Sequence, residues 1–241
     1  MEDNKPKIIE ADGLKWFVRP DSKIGKCTQD MLGPNQREQY NFDVLKKHSG
    51  ENKVFVDVGA NVGGFAIRMA EHYGKVIAFE PNSYNFKALE ENIKLNDTKG
   101  LQAWMLAVGD ENKMVDISIR GGGSRISEEG AKHGNIKYTK VKCIRLDEFS
   151  IDKVDVMKID TEGYEEQVLI GAKEIIERDK PVLILETHEK TYHGDPLCVG
   201  QINRLQKMLC EWGYKIEVLF KTQYGDKHLY AYQEKDGTQN A

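Results

Sequence analysis

Four short stretches hold most of the residues whose types and spacing could do chemistry: VDVGANVGG (56–64), AFEPN (78–82), AVGD (107–110) and KIDTEG (158–163). In the first, Asp57 precedes a glycine turn, Gly59-Ala60-Asn61-Val62-Gly63-Gly64. Glycines there permit a tight turn and close backbone approach to a ligand. A dinucleotide site wants glycine at the second position of GxGxxG, and Asn61 stands there instead. The phosphate-cradling GxxxxGK[ST] pattern is absent. Asp57 would repel a diphosphate and welcome an ammonium group. S-adenosylmethionine carries such an ammonium and no phosphate.

Glu80 lies 21 residues beyond Gly59, the spacing at which a carboxylate receives the ribose hydroxyls of an adenosine ligand. Asp110 could reach the adenine amino group by the same logic. Asp160 and Glu162 form a third element. Two acids at the mouth of a site can bind a cation, act as a base or cap the next helix. Asp160 is too far ahead of the helix start to be only a cap; Glu162 could serve as one.

Strands that alternate with helices must position these residues. VFVDV (54–58), KVIAFE (75–80), LQAWMLAV (101–108), VDVMKID (154–160) and PVLILE (181–186) read as strands. Helices are expected over 35–48, from about Phe65 to Tyr73, over Ser83–Leu95, about Tyr164–Arg178 and about Val199–Trp212, each with apolar residues at helical spacing. In the first of them Tyr40, Val44 and Leu45 are expected to point inward. This is the βαβ pattern of a parallel sheet, where ligands bind at the strands' carboxyl ends. YKIEVLF (214–220) and HLYAYQE (228–234) are joined by only seven residues, so they should pair antiparallel. Residues 7–18 read as a hairpin turning at Asp12-Gly13. Between the third and fourth strands, 111–149 breaks the alternation with two more strands, MVDISIR and YTKVKCIRL. From Arg120 to Arg145 this insertion carries seven Lys or Arg and two acids, a local charge of +5.

The chain has 241 residues, 39% hydrophobic and 31% charged, with a formal net charge of −4. That suits a folded globular protein and one domain spanning 1–241: an N-terminal hairpin and helix (1–52) as a possible substrate cap, a core (53–234) and a flexible tail (235–241). MEDNKPKIIE has neither the basic start nor the apolar run of a signal peptide, so a cytoplasmic location is expected. Cys27, Cys143, Cys198 and Cys210 form no CxxC pair. His188 and His193 are five residues apart, the wrong spacing for HExxH zinc ligation on one helix face. GxSxG, DPPY, NPPY and Pro-Cys are all absent, which removes the usual hydrolase serine, the exocyclic-amine tetrapeptide and the pyrimidine-attacking thiol.

Together, DVGANVGGFAIRMA, VIAFEPNSYNFKALEENIKLN, AVGD and MKIDTEGYEEQVLIGA resemble the FkbM methyltransferase family over about residues 37–190. The resemblance implies a Rossmann-like class I methyltransferase fold, an α/β architecture with a seven-stranded, mostly parallel sheet of order 3-2-1-4-5-7-6. It implies methyl transfer from S-adenosyl-L-methionine, commonly to an oxygen. The family's cofactor motifs fall on Asp57, Gly59, Asn61, Gly63 and Glu80, and its KIDxEG segment on Lys158, Asp160, Glu162 and Gly163. The expected cofactor residues are then Asp57, Gly59, Ala60, Asn61, Gly63, Glu80, Pro81, Asn82 and Asp110. Asp160 and Glu162 are the expected catalytic pair. If the fourth and fifth strands are neighbours, their tips lie roughly 5 Å apart, and Glu186 and His188 join that pair near the acceptor. Asp160, Glu162 and Glu186 could then hold a divalent cation such as Mg²⁺. Arg120, Arg125 and Lys142 are candidate substrate contacts. The acceptor is expected to be a small or sugar-like hydroxyl compound. RNA, held by the basic insertion, is the alternative, and an inactive cofactor-binding scaffold is a further one.

Overall fold

The computed structural model describes residues 6–18, 36–119, 124–127, 137–188, 198–222 and 225–234. Arg120, most of the insertion's loop and the tail 235–241 lie outside them. The hairpin is formed by β1 (Lys7–Ala11) and β2 (Leu14–Val18), with Asp12 and Gly13 at positive φ in the turn. α1 (Gln36–Lys47) leads into β3 (Gly50–Val58), and α2 (Gly64–Met69) into β4 (Tyr73–Phe79). α3 (Ser83–Asn96) precedes β5 (Leu101–Trp104). After the insertion come β10 (Val156–Ile159), α4 (Glu165–Gly171), α5 (Lys173–Asp179), β11 (Val182–Thr187), α6 (Gln201–Glu211), β12 (Lys215–Lys221) and β13 (Lys227–Tyr232).

The central sheet has seven strands in the order β12-β13-β11-β10-β3-β4-β5. β11-β10-β3-β4-β5 run parallel, while β13 pairs antiparallel to β11 and β12. Numbered within this sheet alone, that is the expected 3-2-1-4-5-7-6. Pleating splits the core into two layers. Val56, Val58, Met157, Ile159, Leu183 and Leu185 pack against Val168, Leu169, Ile176 and Leu205 of α4–α6. Phe55, Val156 and Ile184 face Val44 and Leu45 of α1 and Phe65, Ala66 and Met69 of α2. Each such fully buried aliphatic or aromatic side chain stabilises the fold by about 1.5–3 kcal/mol. By the same alternation Asp57, Lys158, Glu186 and His228 belong to the α1–α2 face. They are polar residues at the carboxyl edge of an otherwise apolar layer.

Four expectations need correction. The helix after the glycine turn stops at Met69, and Tyr73, expected at its end, opens β4. LQAWMLAV is not one strand: a tight turn at Met105, closed by the Leu106 N–H on the Trp104 carbonyl at 3.0 Å, ends β5. Ala107–Val108 (β6) instead joins β7 (Lys113–Ser118), β8 (Ile126–Ser127) and β9 (Tyr138–Ile144) in a separate four-stranded sheet. The long helix after Tyr164 breaks at Ala172, where Asp147 accepts the Ile175 N–H at 3.0 Å and starts α5. Tyr40 is 48% exposed rather than inward; its ring stacks on Phe220 at 6.4 Å. Among the described residues no helix is long and apolar enough to cross a membrane.

Candidate active site

A cleft of about 270 Å³ opens at the carboxyl ends of β3, β4, β10 and β11. One half is walled by Gly59–Asn61, Phe79–Pro81, Asn85, Leu106, Val108, Ile117 and Ile126. The other is walled by Glu38, Asn41, Phe65, Lys158, Asp160–Glu162 and Glu186.

The glycine turn joins the halves. Gly59 has φ +84°, and a Cβ there would stand 1.8 Å from the Asp160 carbonyl oxygen. The Gly59 and Ala60 N–H groups both donate to the Phe79 carbonyl, at 2.9 and 3.0 Å. This fastens the turn to the end of β4. Asn61, at φ +53°, then donates its N–H to Glu80 Oε2 at 2.8 Å. Asn82 donates its N–H to Oε1 at 2.8 Å, and Asn85 Nδ2 reaches the same oxygen at 3.5 Å. The Asn82 side chain caps α3 through the Tyr84 N–H at 2.8 Å and donates to Ser124 Oγ at 2.6 Å. Glu80 is thus held rigidly at the cleft wall. Burial pushes its carboxyl up to about 7, against the opposing effect of the Asn82, Asn61 and Asn85 donors.

Asp57 is only 1% exposed, and the lining of the cleft does not include it. Neither of its oxygens has a hydrogen-bond partner. The Ala66 N–H is close enough to favour its charge without meeting hydrogen-bond geometry. Burial raises its carboxyl to about 6, offset in part by Lys158, its register partner on β10. Gly63 has φ +95° at the start of α2, and Pro81 lies on the cleft wall. Asp110 is not among the residues that line the cleft; its Oδ1 is 4.0 Å from Lys113 Nζ.

The other half gathers the acids expected from the strand tips. Lys158, 2% exposed, donates to Asp160 Oδ2 at 3.1 Å and lies 4.7 Å from the Phe65 ring centroid. Burial opposes its charge, yet Asp160, Asp57 and Glu186 hold its pKa well above the ordinary range. Asp160 is raised by burial and by Glu186. Glu162 sits at φ +58°, with Arg125 3.8 Å away and His188 Nε2 3.6 Å away. Burial, with Asp160 and Glu186, raises it to about 7 against the pull of His188 and Arg125. Despite burial, His188 is raised to about 10 by Glu165, Glu162 and Asp160. Glu186 is well below the usual carboxylate range; burial opposes this, but His228, His188 and Lys158 outweigh it. Lys142 is exposed on β9 and outside the cleft lining, while Arg125 reaches the site through Glu162.

Asp160, Glu186 and His188 each offer a ligand atom within 4.8 Å of the others. That donor set does not suit a divalent cation as it stands. Glu162 and Glu165, 3.6 and 3.5 Å from the His188 ring nitrogens, favour its protonated form, which cannot ligate a metal, and the Lys158 ammonium pairs with the Asp160 carboxylate at 3.1 Å. The cluster is balanced by the protein's own cations.

Several site residues had no motif to announce them. Glu165 is fully buried, and its Oε1 accepts from the Thr161 N–H (2.9 Å), Thr161 Oγ1 (3.1 Å) and the Gly163 N–H (3.1 Å), shaping the loop that carries Asp160 and Glu162. Asn85, Asn41 and His228 are buried and polar. Asn41 could have been found as the one amide among the apolar positions of α1, three residues before Val44.

The model of the methyltransferase FkbM domain matches residues 57–216. Methyltransferase sdnD of Sordaria araneosa is 25% identical over 207 residues, covering 71% of this chain and 77% of its own length. Hexuronic acid methyltransferase AglP of Haloferax volcanii is 30% identical over 178 residues, covering 69% and 68%. Among solved structures, methyltransferase FkbM from Methylobacillus flagellatus KT superposes with a TM-score of 0.53 at 21% identity, over 76% of this chain. The chain spans 44% of that structure's length. The sheet order and this likeness make the fold a Rossmann-like class I methyltransferase fold. The family pattern begins at Asp57, the strand end beneath the glycine turn, and runs past both acidic strand tips: the chain belongs to the FkbM methyltransferase family.

Proposed function

We propose that this methyltransferase uses S-adenosyl-L-methionine to methylate a hydroxyl oxygen of a small, sugar-like acceptor. The observation that carries the reading is the continuity of one cleft from the Gly59–Asn61 turn and Glu80 to Asp160, Glu162 and Glu186. S-adenosylmethionine, when bound, supplies an electrophilic methyl group. Glu80, fixed by two backbone N–H groups, has lone pairs left for a ribose diol. Leu106, Val108, Ile117 and Ile126 offer an apolar slot for an adenine ring. Asp57 acts from behind the turn as a buried negative charge rather than as a direct contact. Ala60, Pro81 and Asn82 set the backbone around the slot.

At the far half, a hydroxyl must lose its proton as it attacks. Glu162, raised to about 7, is poised near the pH at which a general base works best. Asp160, pinned by Lys158, shares the charge with it. Glu186 stays ionised and accepts the hydroxyl's hydrogen bond. Proximity is the larger contribution, because holding donor and acceptor in line removes much of the entropic barrier. The likeness to AglP, a hexuronic acid methyltransferase, supports a sugar-like acceptor.

Incubation with methyl-labelled S-adenosylmethionine and fractionated extract of the source cells tests this reading. Label is expected in small molecules or glycan, in a base-stable ether linkage. Label in RNA, with binding that falls steeply as salt rises, would favour the RNA reading instead.

A further inference from the structure

α1 closes the acceptor half of the cleft through one buried chain of contacts. Asn41 is 1% exposed, lines the cleft, and its Nδ2 donates to His228 Nδ1 at 2.8 Å. His228, also 1% exposed, is the cross-strand partner of Glu186, and its Nε2 is 3.5 Å from Glu186 Oε1. The Glu186 carboxylate beside Nε2 draws the ring proton to that nitrogen, which leaves Nδ1 as an acceptor for the amide. That tautomer fixes the amide's direction: its nitrogen faces the ring, and its oxygen is left over. Asn41 Oδ1 is indeed buried without a hydrogen-bond partner. A buried acceptor left without a donor destabilises the fold unless something meets it.

We propose that Asn41 Oδ1 and the Glu186 carboxylate form the acceptor subsite, and that it selects a polyhydroxylated ligand through hydroxyl donors. The proposal rests on the methyltransferase reading above and names the acceptor end of the same cleft. Both groups only accept hydrogen bonds, so a ligand that fits presents two or more O–H donors, as a sugar ring does. His228 is a positioning residue: it holds Asn41 and Glu186 in register and touches no ligand itself.

Saturation-transfer NMR tests this on the protein saturated with S-adenosylhomocysteine, using methyl α-D-gluco-, galacto- and mannopyranoside as probes. Tetrahydropyran-2-methanol, which lacks the ring hydroxyls, is the control. At least one glycoside is expected to bind and the control to fail. Asn41→Leu should weaken glycoside binding about tenfold or more, the scale of a lost buried hydrogen bond. Its affinity for S-adenosylhomocysteine should stay within about twofold of wild type. Asn41→Asp, which keeps the side chain's shape and its acceptor oxygen, should retain more glycoside binding than Asn41→Leu. Absence of glycoside binding in wild type, equal binding of the control, or unchanged binding in Asn41→Leu would each overturn the subsite. Loss of S-adenosylhomocysteine binding in Asn41→Leu would overturn it too, by placing the residue in the fold or the cofactor half. A wild-type protein that binds glycosides but not S-adenosylhomocysteine would leave the subsite standing and sink the cofactor reading.

Discussion

Gly59 and Asp160 are in backbone contact across neighbouring parallel strands, so close that a single added carbon on Gly59 would lie 1.8 Å from the Asp160 carbonyl oxygen. The turn that builds one half of the cleft and the acid that begins the other share a joint with no room for a side chain. Gly59→Ala therefore combines a left-handed backbone, φ +84°, with a clash against main chain that cannot rotate away. The variant should lose at least about 2 kcal/mol of stability, and S-adenosylhomocysteine should no longer raise its melting temperature. Wild-type melting and ligand response in this variant would mean that the turn is looser than its packing implies.

Asp160→Asn keeps the shape of the side chain and removes its charge. Turnover should fall about 10²-fold or more while cofactor affinity is spared. Steady-state kinetics beside equilibrium binding separate the two effects. Full activity would show that the Lys158–Asp160 pair is structural.

The pH dependence of stability has a definite sign. Glu80 titrates near 7 and Asp57 near 6 in the fold, above their ordinary values of 4.5 and 3.8. Between those limits the folded protein holds protons that the unfolded chain has released, so stability falls as pH rises. His188 acts in the same direction: raised from 6.5 to about 10, it contributes stability that is full below 6.5 and lost as pH rises through 10. Thermal melts of the ligand-free protein should decline from pH 5 to pH 9. Glu80→Gln should flatten the stretch between 4.5 and 7 while binding S-adenosylhomocysteine more weakly. A wild-type profile that rises over this range would contradict the buried state of these groups.

A chelator should leave turnover unchanged, because Lys158 and protonated His188 already balance the acids. Activity lost to EDTA and restored by Mg²⁺ would show that a cation displaces those charges in the working enzyme.

Much of this site is legible in the sequence because it is local. The glycine turn, Glu80 and the KIDTEG acids sit where a strand ends and a turn begins, and short-range spacing records that. Glu186 followed from the order of the sheet. Contacts between distant segments left no such trace. Ala107–Val108 looked like the end of β5 because both stretches are apolar, yet their pairing with Cys143–Ile144 of β9 is a long-range event. Asn41 and His228 are 187 positions apart; each reads alone as an ordinary polar residue. Asp57 was placed correctly at its strand end, but the pleat turns it beneath α2 rather than into the cleft. Asp110 follows β6, which left the main sheet, and so it faces Lys113.

Calorimetric titration with S-adenosylhomocysteine tests the cofactor half of the cleft most directly. Wild type should bind at one site, and Glu80→Ala should weaken that binding by about 1.5–3 kcal/mol, the loss typical of hydrogen bonds to a charged group. Tight binding of NAD with no response to S-adenosylhomocysteine, or equal affinity in Glu80→Ala, would contradict the assignment of this cleft to S-adenosylmethionine.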